Sequence, residues 1–373
     1  MAIEQEKNNS NKIEKTINPT SLIFLEKYMN TISPVGFEVA GQKVWLEYLK
    51  PFVDTQFTDS YGTAVGVINP ENPFKVVIEA HADEISWFVN YITPEGLIYV
   101  KRNGGSDQQI APSKRVNISG KKGFVRGVFG WPAIHTRLDN DKEKQPLIEN
   151  IWIDVGARTK EEVLNLGIYI GSVVTYIDGF EQLGYNHLIA RAFDNRIGGF
   201  MIAEVARLLK ENKKELPFSL YIVNAVQEEI GLRGAEMIAR KIKPDIAIVT
   251  DVTHDTNTPM IKKSIEGDII CGKGPSLAFA PAIHNKLLGL VEGVAEKNNI
   301  PVQFRTLSRS TGTDTDSFAY SNEGCPSVLI SLPLRYMHTT VEMIHQADVV
   351  DTIELIYQTL LTISPTTNLS YFK

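Results

Sequence analysis

Lys75-Val-Val-Ile-Glu-Ala-His-Ala-Asp83 decides the fold. A short, β-branched and nearly continuous apolar run is the pattern of a strand buried on both faces. Three more runs repeat the form. Leu220-Tyr-Ile-Val-Asn-Ala-Val226 leads to Glu228 and Glu229, and Ile246-Ala-Ile-Val-Thr250 leads to Asp251. Ser327-Val-Leu-Ile-Ser-Leu332 leads into the loop that carries His338. Helical stretches at 198–210 and 234–241 lie between them. Strands alternating with helices predict an α/β sheet covered on both faces.

Working outward, residues 20–49 read as two helices interrupted at Ser33-Pro34-Val35-Gly36, where Pro and Gly punctuate the pattern. Residues 86–177 have another texture, dense in Gly and in short alternating runs such as Leu97-Ile-Tyr-Val100 and Ile151-Trp-Ile-Asp-Val155. One helix, opened by Thr159 as N-cap with acidic residues after it, interrupts them. The expected division is a flexible polar tail at 1–18, an α/β domain at 19–87 and 178–373, and an inserted β-rich domain at 88–177.

The chain has 373 residues, ample to bury a core without disulfides. Hydrophobic residues make up 43% and charged residues 22%, which excludes overall disorder. A net charge of −6 gives no electrostatic footprint for nucleic acid or an anionic membrane, so neither is expected as a partner. Cys271 and Cys325 form no CxxC pair. The apolar runs fall far short of the roughly 20 residues of a membrane span. The first residues lack the apolar core of a signal peptide, which leads to an expectation of a soluble, cytoplasmic protein.

Chemistry is expected where the strands end, since ligand sites in open α/β sheets form beyond the carboxyl ends of the strands. Each candidate strand leads to residues that ligate metals: His81 and Asp83, Glu228 and Glu229, Asp251, and His338. Asp194 stands before a helix in Ala192-Phe-Asp-Asn-Arg196, where plain N-capping is its competing role. Taken together, imidazoles and several carboxylates at one sheet edge repel one another unless cations lie between them. Mixed His and carboxylate donors suit zinc and similar divalent ions, and a shared carboxylate gives a two-metal site. In His81-Ala-Asp83, residues two apart on a strand face the same side, so Asp83 can orient the imidazole that His81 offers. Neighbours Glu228 and Glu229 point oppositely on a strand, so a turn, permitted by Gly231, is needed to bring both into one site. One of the pair can then bind metal while the other acts as general base.

Other signals are weaker. His135, His187, His254 and His284 read as structural or exposed, and His345 is spaced to share a helix face with His338. No HExxH or GxSxG occurs. Gly267-Asp-Ile-Ile-Cys-Gly-Lys-Gly274 nearly spells a phosphate-binding loop, but Gly274 stands where Ser or Thr must bind magnesium.

Five stretches carry a resemblance. Ala80-His-Ala-Asp-Glu-Ile85, Ala192-Phe-Asp-Asn-Arg-Ile-Gly198, Val226-Gln-Glu-Glu-Ile-Gly-Leu-Arg-Gly-Ala235, Thr250-Asp-Val-Thr-His254 and Met337-His-Thr-Thr-Val-Glu342 occur in that order. Together they resemble the glutamyl aminopeptidase family of dinuclear metallopeptidases, which includes the tetrahedral aminopeptidases and some members once labelled cellulases. The resemblance implies the dinuclear zinc peptidase fold: a mixed sheet sandwiched by helices, with a small β-rich insert used in dimerisation. It implies two divalent ions per subunit, zinc first, with cobalt or manganese as alternatives. His81, Asp194 and Asp251 would hold one ion, and Asp194, Glu229 and His338 the other. Glu228 would be the general base that works on a metal-activated hydroxide, and Asp83 would orient His81. The substrates would be short peptides cut at the N-terminal residue, and the assembly a homo-oligomer, from dimers up to a dodecamer. Arg305-Thr-Leu-Ser-Arg-Ser-Thr-Gly-Thr-Asp314 resembles the stretch leading to the substrate side, and an arginine there would favour an acidic side chain. Two rival readings are a glycosidase using paired carboxylates, which leaves His81 and His338 unexplained, and a non-catalytic assembly or peptide-binding relative.

Overall fold

The computed structural model describes residues 16–137 and 144–372. They form two compact units: residues up to 83 with 179–337 and 341 onward, and residues 84–178 with 338–340.

In the first unit the strands are β1 (Thr55–Thr58), β2 (Ala64–Ile68) and β3 (Lys75–His81). In the second they are β4 (Ser86–Ile92), β5 (Ile98–Asn103), β6 (Arg115–Gly120), β7 (Gly123–Gly130), β8 (Trp152–Asp154) and β9 (Val173–Tyr176). The chain then returns to the first unit with β10 (Glu181–Leu183), β11 (His187–Ala190), β12 (Ser219–Ala225) and β13 (Ile246–His254). Last come β14 (Ser276–Phe279), β15 (Gln303–Thr306), β16 (Ser327–Arg335) and β17 (Glu342–His345).

The first unit is one mixed eleven-stranded sheet, ordered β1-β2-β12-β3-β13-β16-β17-β11-β10, with β14 on β16 and β15 on β14. Its centre is parallel. Lys75 through His81 pair in register with Ser219 through Ala225, and Val76 with Ile246. Nearly every residue of β3, β12 and β13 is buried whichever way it points, as the continuous apolar runs require. The helices are α1 (Pro19–Asn30), α2 (Val39–Leu49), α3 (Lys160–Asn165), α4 (Phe193–Glu211), α5 (Arg233–Ile242), α6 (Lys263–Glu266), α7 (Asn285–Lys297), α8 (Thr315–Ala319) and α9 (Gln346–Thr362). Of these, α4 packs on β3 and β13, α5 on β12, and α7 and α9 on β16. The break between α1 and α2 falls at the Pro-Gly segment. There Arg196 from α4, itself fully buried, donates to the carbonyls of Tyr28, Met29 and Thr31 at the end of α1.

The second unit closes into a barrel ordered β4-β5-β8-β7-β6-β9, each pair antiparallel. Alternate residues point into its own core, where Trp87 meets Phe129 edge-on with ring centroids 5.7 Å apart. Thr159 caps α3 through its hydroxyl, which accepts from the Glu162 amide.

Four expectations need correction. Of the tail expected at 1–18, residues 1–15 lie outside the described residues, but Thr16, Ile17 and Asn18 are built in. Arg207 donates to the Thr16 carbonyl, Ile17 enters the core, and Asn18 accepts the Ser21 amide to cap α1. Residues 338–340, expected in the α/β domain, belong with the barrel unit, where Lys114 donates to the Thr340 hydroxyl. The strand expected to stop at Thr250 runs through Asp251 to His254, because its pairing with β16 continues to His254 opposite Leu334. His345 closes β17 and caps α9, its Nδ1 accepting the Ala347 amide, so it shares no helix with His338.

The loop that mimics a phosphate cradle is filled from within. The amides of Gly272 and Gly274 donate to the Asp348 carboxylate, at 2.6 and 2.8 Å. Among the described residues no helix is long and apolar enough to cross a membrane.

The junction of β12 and α5 is held by a close backbone approach. The Gly234 amide donates to the Val226 carbonyl, and a Cβ at Gly234 would lie 2.3 Å from that oxygen and 2.5 Å from the Val226 nitrogen. Backbone cannot yield as a side chain can, so Gly234→Ala is expected to cost about 1–3 kcal/mol or more. Urea unfolding measures this, and a variant as stable as the parent would show that the junction is not constrained.

Candidate metal centre

The parallel register carries β3 and β13 to the same end of the sheet. There His81, 1% exposed, closes β3, and Asp251 sits on β13 two residues beyond Val249, the partner of Glu79. Around the imidazole stand carboxylates from three other elements. Nε2 lies 3.2 Å from Asp194, 3.8 Å from Glu228 and 3.9 Å from Asp251. On its other side Nδ1 faces Asp83 at 3.4 Å, the relation expected of residues two apart on a strand.

Asp83 does more than that spacing suggests. Its two oxygens accept the consecutive amides of Glu228 and Glu229, at 3.0 and 3.1 Å. The turn that brings both glutamates to one side is a single 3₁₀ turn, Glu228–Ile230, with Gln227 at φ +58° before it and Gly231 at φ +114° after it. Glycine takes that conformation without strain, as expected for Gly231. Glu38, 3% exposed, accepts the Gly36 amide at 2.7 Å and faces the Gln227 amide, adding a second carboxylate to the same turn.

Asp194 is not the N-cap of α4. Ala192 holds that position, and the backbone at Asp194 and Asn195 departs from helical geometry. The Asp194 amide donates to Glu342, and Asn195 donates to the Thr250 carbonyl next to Asp251. Two triads result, His81 with Glu228 and Asp251, and His81 with Asp194 and Glu229, each offering ligand atoms within 4.8 Å of one another. His338 stands in the barrel unit with φ +60°, its Nδ1 2.6 Å from where a Cβ on Gly105 would lie, so a bare glycine makes its room. His135 is exposed, His187 lies in β11, His254 ends β13 exposed, and His284 stacks on Tyr371. Arg309 is exposed, whereas Arg305 on β15 turns inward.

Burial and mutual repulsion set the electrostatics. Burial pushes the Glu228 carboxyl up to about 10 and the Asp251 carboxyl up to about 7. Burial pulls the His81 imidazole down, but Glu228, Asp194 and Asp83 outweigh it and hold the ring well above its usual value. The cluster thus collects protons for want of other positive charge, and imidazole with carboxylate oxygens is a donor set that fits divalent cations in their place.

A second tier of acids, which the strand-end pattern does not single out, lies behind the first. Glu79, two residues before His81, and Asp314 are fully buried side by side. Burial raises Glu79 to about 8 and Asp314 well above its usual value. Among the described residues no N–H or O–H donates to either carboxyl group, and Glu79 raises Asp314 beyond what burial does. The one sequence signal for it is a lone acid inside an otherwise apolar strand.

Residues 62–355 match a family model described as M42 glutamyl aminopeptidase. The chain is 32% identical to the lysyl aminopeptidase of Pyrococcus furiosus over 91% of its own length and 97% of the relative's. Its structure is similar to that of a TET aminopeptidase from a marine-sediment Thaumarchaeota archaeon, at TM-score 0.89 and 28% identity, covering 93% and 97% of the two chains. It is similar also to the Pyrococcus horikoshii TET1 peptidase, described as able to assemble into a tetrahedron or a large octahedral shell. There the TM-score is 0.80 and the identity 26%, over 91% and 98%.

The raised values act in one direction on stability. An acid or histidine held above its unfolded value binds more protons folded than unfolded, so stability falls as pH rises. For Asp251 the loss runs from 3.8 to about 7, and for Glu228 from 4.5 to about 10. The metal-stripped protein is therefore expected to lose stability between about pH 5 and pH 9, and a divalent cation to raise Tm more at the higher pH. Melting curves with chelator and with zinc measure both. A cation effect that is absent, or equal at the two ends, would remove the metal centre.

Proposed function

The chain belongs to the M42 glutamyl aminopeptidase family, and from that premise we propose that it is a dinuclear, metal-dependent enzyme releasing N-terminal residues from short peptides. One observation carries the reading: a buried imidazole whose Nε2 lies within 4 Å of carboxylates from three separate elements. A pair of carboxyl groups flanking a glycosidic bond gives no role to an imidazole set among carboxylates, and the matched family and relatives are aminopeptidases. The glycosidase alternative therefore lacks support.

In this proposal His81, Asp194 and Asp251 hold one ion, and Asp194, Glu229 and His338 the other, with Asp194 shared. Zinc suits these donors best, and cobalt or manganese takes the same ones. Two such ions polarise a carbonyl, offset oxyanion charge and make water acidic near neutral pH. The remaining work falls to side chains of this protein. Glu228, whose carboxylate lies 3.8 Å from the His81 Nε2, takes the proton of the attacking water and delivers it to the leaving amine. Asp83 fixes the backbone beneath Glu228 and Glu229 and holds the His81 ring. Surplus negative charge at the cluster favours a positively charged amino terminus over an internal peptide.

The assembly proposed is a homo-oligomer, from dimers up to a dodecamer, the latter by analogy with a similar solved structure described as a dodecamer. Cys271 and Cys325 are buried thiols, in keeping with a reducing, cytoplasmic setting.

Two outcomes are expected. Hydrolysis of aminoacyl p-nitroanilides should stop with chelator, return with zinc, and be absent for the N-acetylated forms. Cleavage that ignores chelator would remove the mechanism. Glu228→Gln should lower kcat by about 10²–10⁴ while leaving cation binding intact by calorimetry. Undiminished turnover would take the proton-transfer role from Glu228.

A further inference from the structure

Glu38 stands at the start of α2, yet the helix makes no use of its side chain. Its backbone is already helical, at φ −73° and ψ −6°, and its carboxylate makes no cap bond to the first turn. An acid in that place ordinarily accepts an amide of the helix it opens. This one turns the other way. Its Oε1 accepts the Gly36 amide at 2.7 Å, and the carboxylate also faces its own amide and that of Gln227. The residue is 3% exposed, and burial, then the nearby Asp83, pushes it up to about 7. Keeping an acid there costs stability that a neutral residue would not.

What the carboxylate reaches is the entry to the turn that carries Glu228. Gln227 at φ +58° and Leu232 at φ +64° bracket that turn in left-handed conformations, which residues with a Cβ keep only when their surroundings hold them. Asp83 holds the amides of Glu228 and Glu229. The amide before them, that of Gln227, is the one that Glu38 faces. The helix that presents Glu38 is itself mounted on β12. One turn along the same face, Gln42 donates to the Asn224 carbonyl and accepts from the Asn224 side chain, both at 2.8 Å. Glu38 is thereby fixed to the strand that leads into the turn.

We propose that Glu38 is a positioning residue for the reaction: by receiving the Gln227 amide it sets the direction in which Glu228 leaves the turn, and it acts through Glu228 rather than on the substrate. The inference rests on the aminopeptidase reading, with Glu228 as its base, and adds a group that the strand-end pattern does not single out. A proton-transferring carboxyl works only within hydrogen-bond reach of the atoms it serves. A displacement of about 1 Å therefore slows turnover and leaves substrate binding nearly as it was. Glutamine at position 38 keeps the shape but offers one acceptor and one donor head where three amides point, so a donor there meets a donor.

The test uses the full, zinc-loaded protein and the aminoacyl p-nitroanilide that wild type cleaves fastest. Glu38→Gln should lower kcat by roughly 10- to 100-fold, with KM within about twofold of wild type. Zinc affinity by calorimetry should stay unchanged, and amide hydrogen exchange should rise in residues 226–232 but not in β3 or β13. In a Glu228→Gln background the same substitution should cost nothing further, because the base it positions is gone. A merely structural role would instead multiply the two losses. Unchanged kcat in Glu38→Gln, or losses that multiply in the double variant, overturns the inference and leaves the aminopeptidase standing. If Glu38→Gln does not fold, Glu38→Asp, which keeps both oxygens one methylene further back, is carried through the same cycle and decides alone. No cleavage by wild type removes both readings together.

Discussion

The carboxylate of Asp83 accepts two amides in a row, those of Glu228 and Glu229, while the same group faces His81. Much of the site depends on that one arrangement. β3 and β12 are fixed side by side by the parallel ladder, but a ladder ends with its strands and leaves the segments beyond them unconstrained. Asp83 extends the connection past the last rung, tying the segment after β3 to the turn after β12. With both amides engaged, the two glutamates leave the turn in a set direction. Without it, two acidic neighbours would separate into solvent, which is cheaper for each of them.

The remaining architecture answers the repulsion that this arrangement creates. Burying Asp194, Glu228, Glu229 and Asp251 around one imidazole is unfavourable among bare protein groups, and burial first, then mutual repulsion, raises the Glu228 and Asp251 carboxyls. The sheet withstands the strain because its central strands are buried on both faces and paired on both edges. Behind the first ring of acids, burial raises both Glu79 and Asp314, which favours their neutral forms and lowers the cost of keeping them in the core. The site thus grades from acids that face one imidazole to a pair that burial holds toward the neutral form inside the core.

How much can be read in the sequence depends on how local each signal is. The three central strands are visible because both faces are apolar, and His81 with Asp83 because a strand repeats every two residues. Glu228 and Glu229 announce a turn by pointing apart, with Gly231 to allow it. Asp251 reads as lying beyond its strand because an acid there ends an apolar run, whereas pairing with β16 carries the strand on. Tertiary partners decide what periodicity does not. Residues 16–18 read as tail because Arg207, which receives Thr16, is nearly two hundred positions away in sequence. The phosphate-loop lookalike fails in sequence for a missing hydroxyl, but only the fold shows Asp348 filling its amides. Glu79 escapes notice because one acid inside a strand carries no spacing of its own.

The order in which the strands pair has a consequence for how the chain is made. In the barrel unit β4 pairs with β5, and β6 with β7, across short connections. By contrast β3 waits for β12 and β13, which emerge only after the whole barrel sequence has been synthesised. Such long-range closure is slow, and domains form as units during translation. A nascent chain therefore carries β3 as an unmatched apolar strand, with His81 and Asp83 at its tip, while the barrel acquires its shape. Glu228 and Glu229, in the turn after β12, and Asp251 on β13 are synthesised only later, so the groups that surround the His81 ring leave the ribosome at different times and meet only when the sheet has closed.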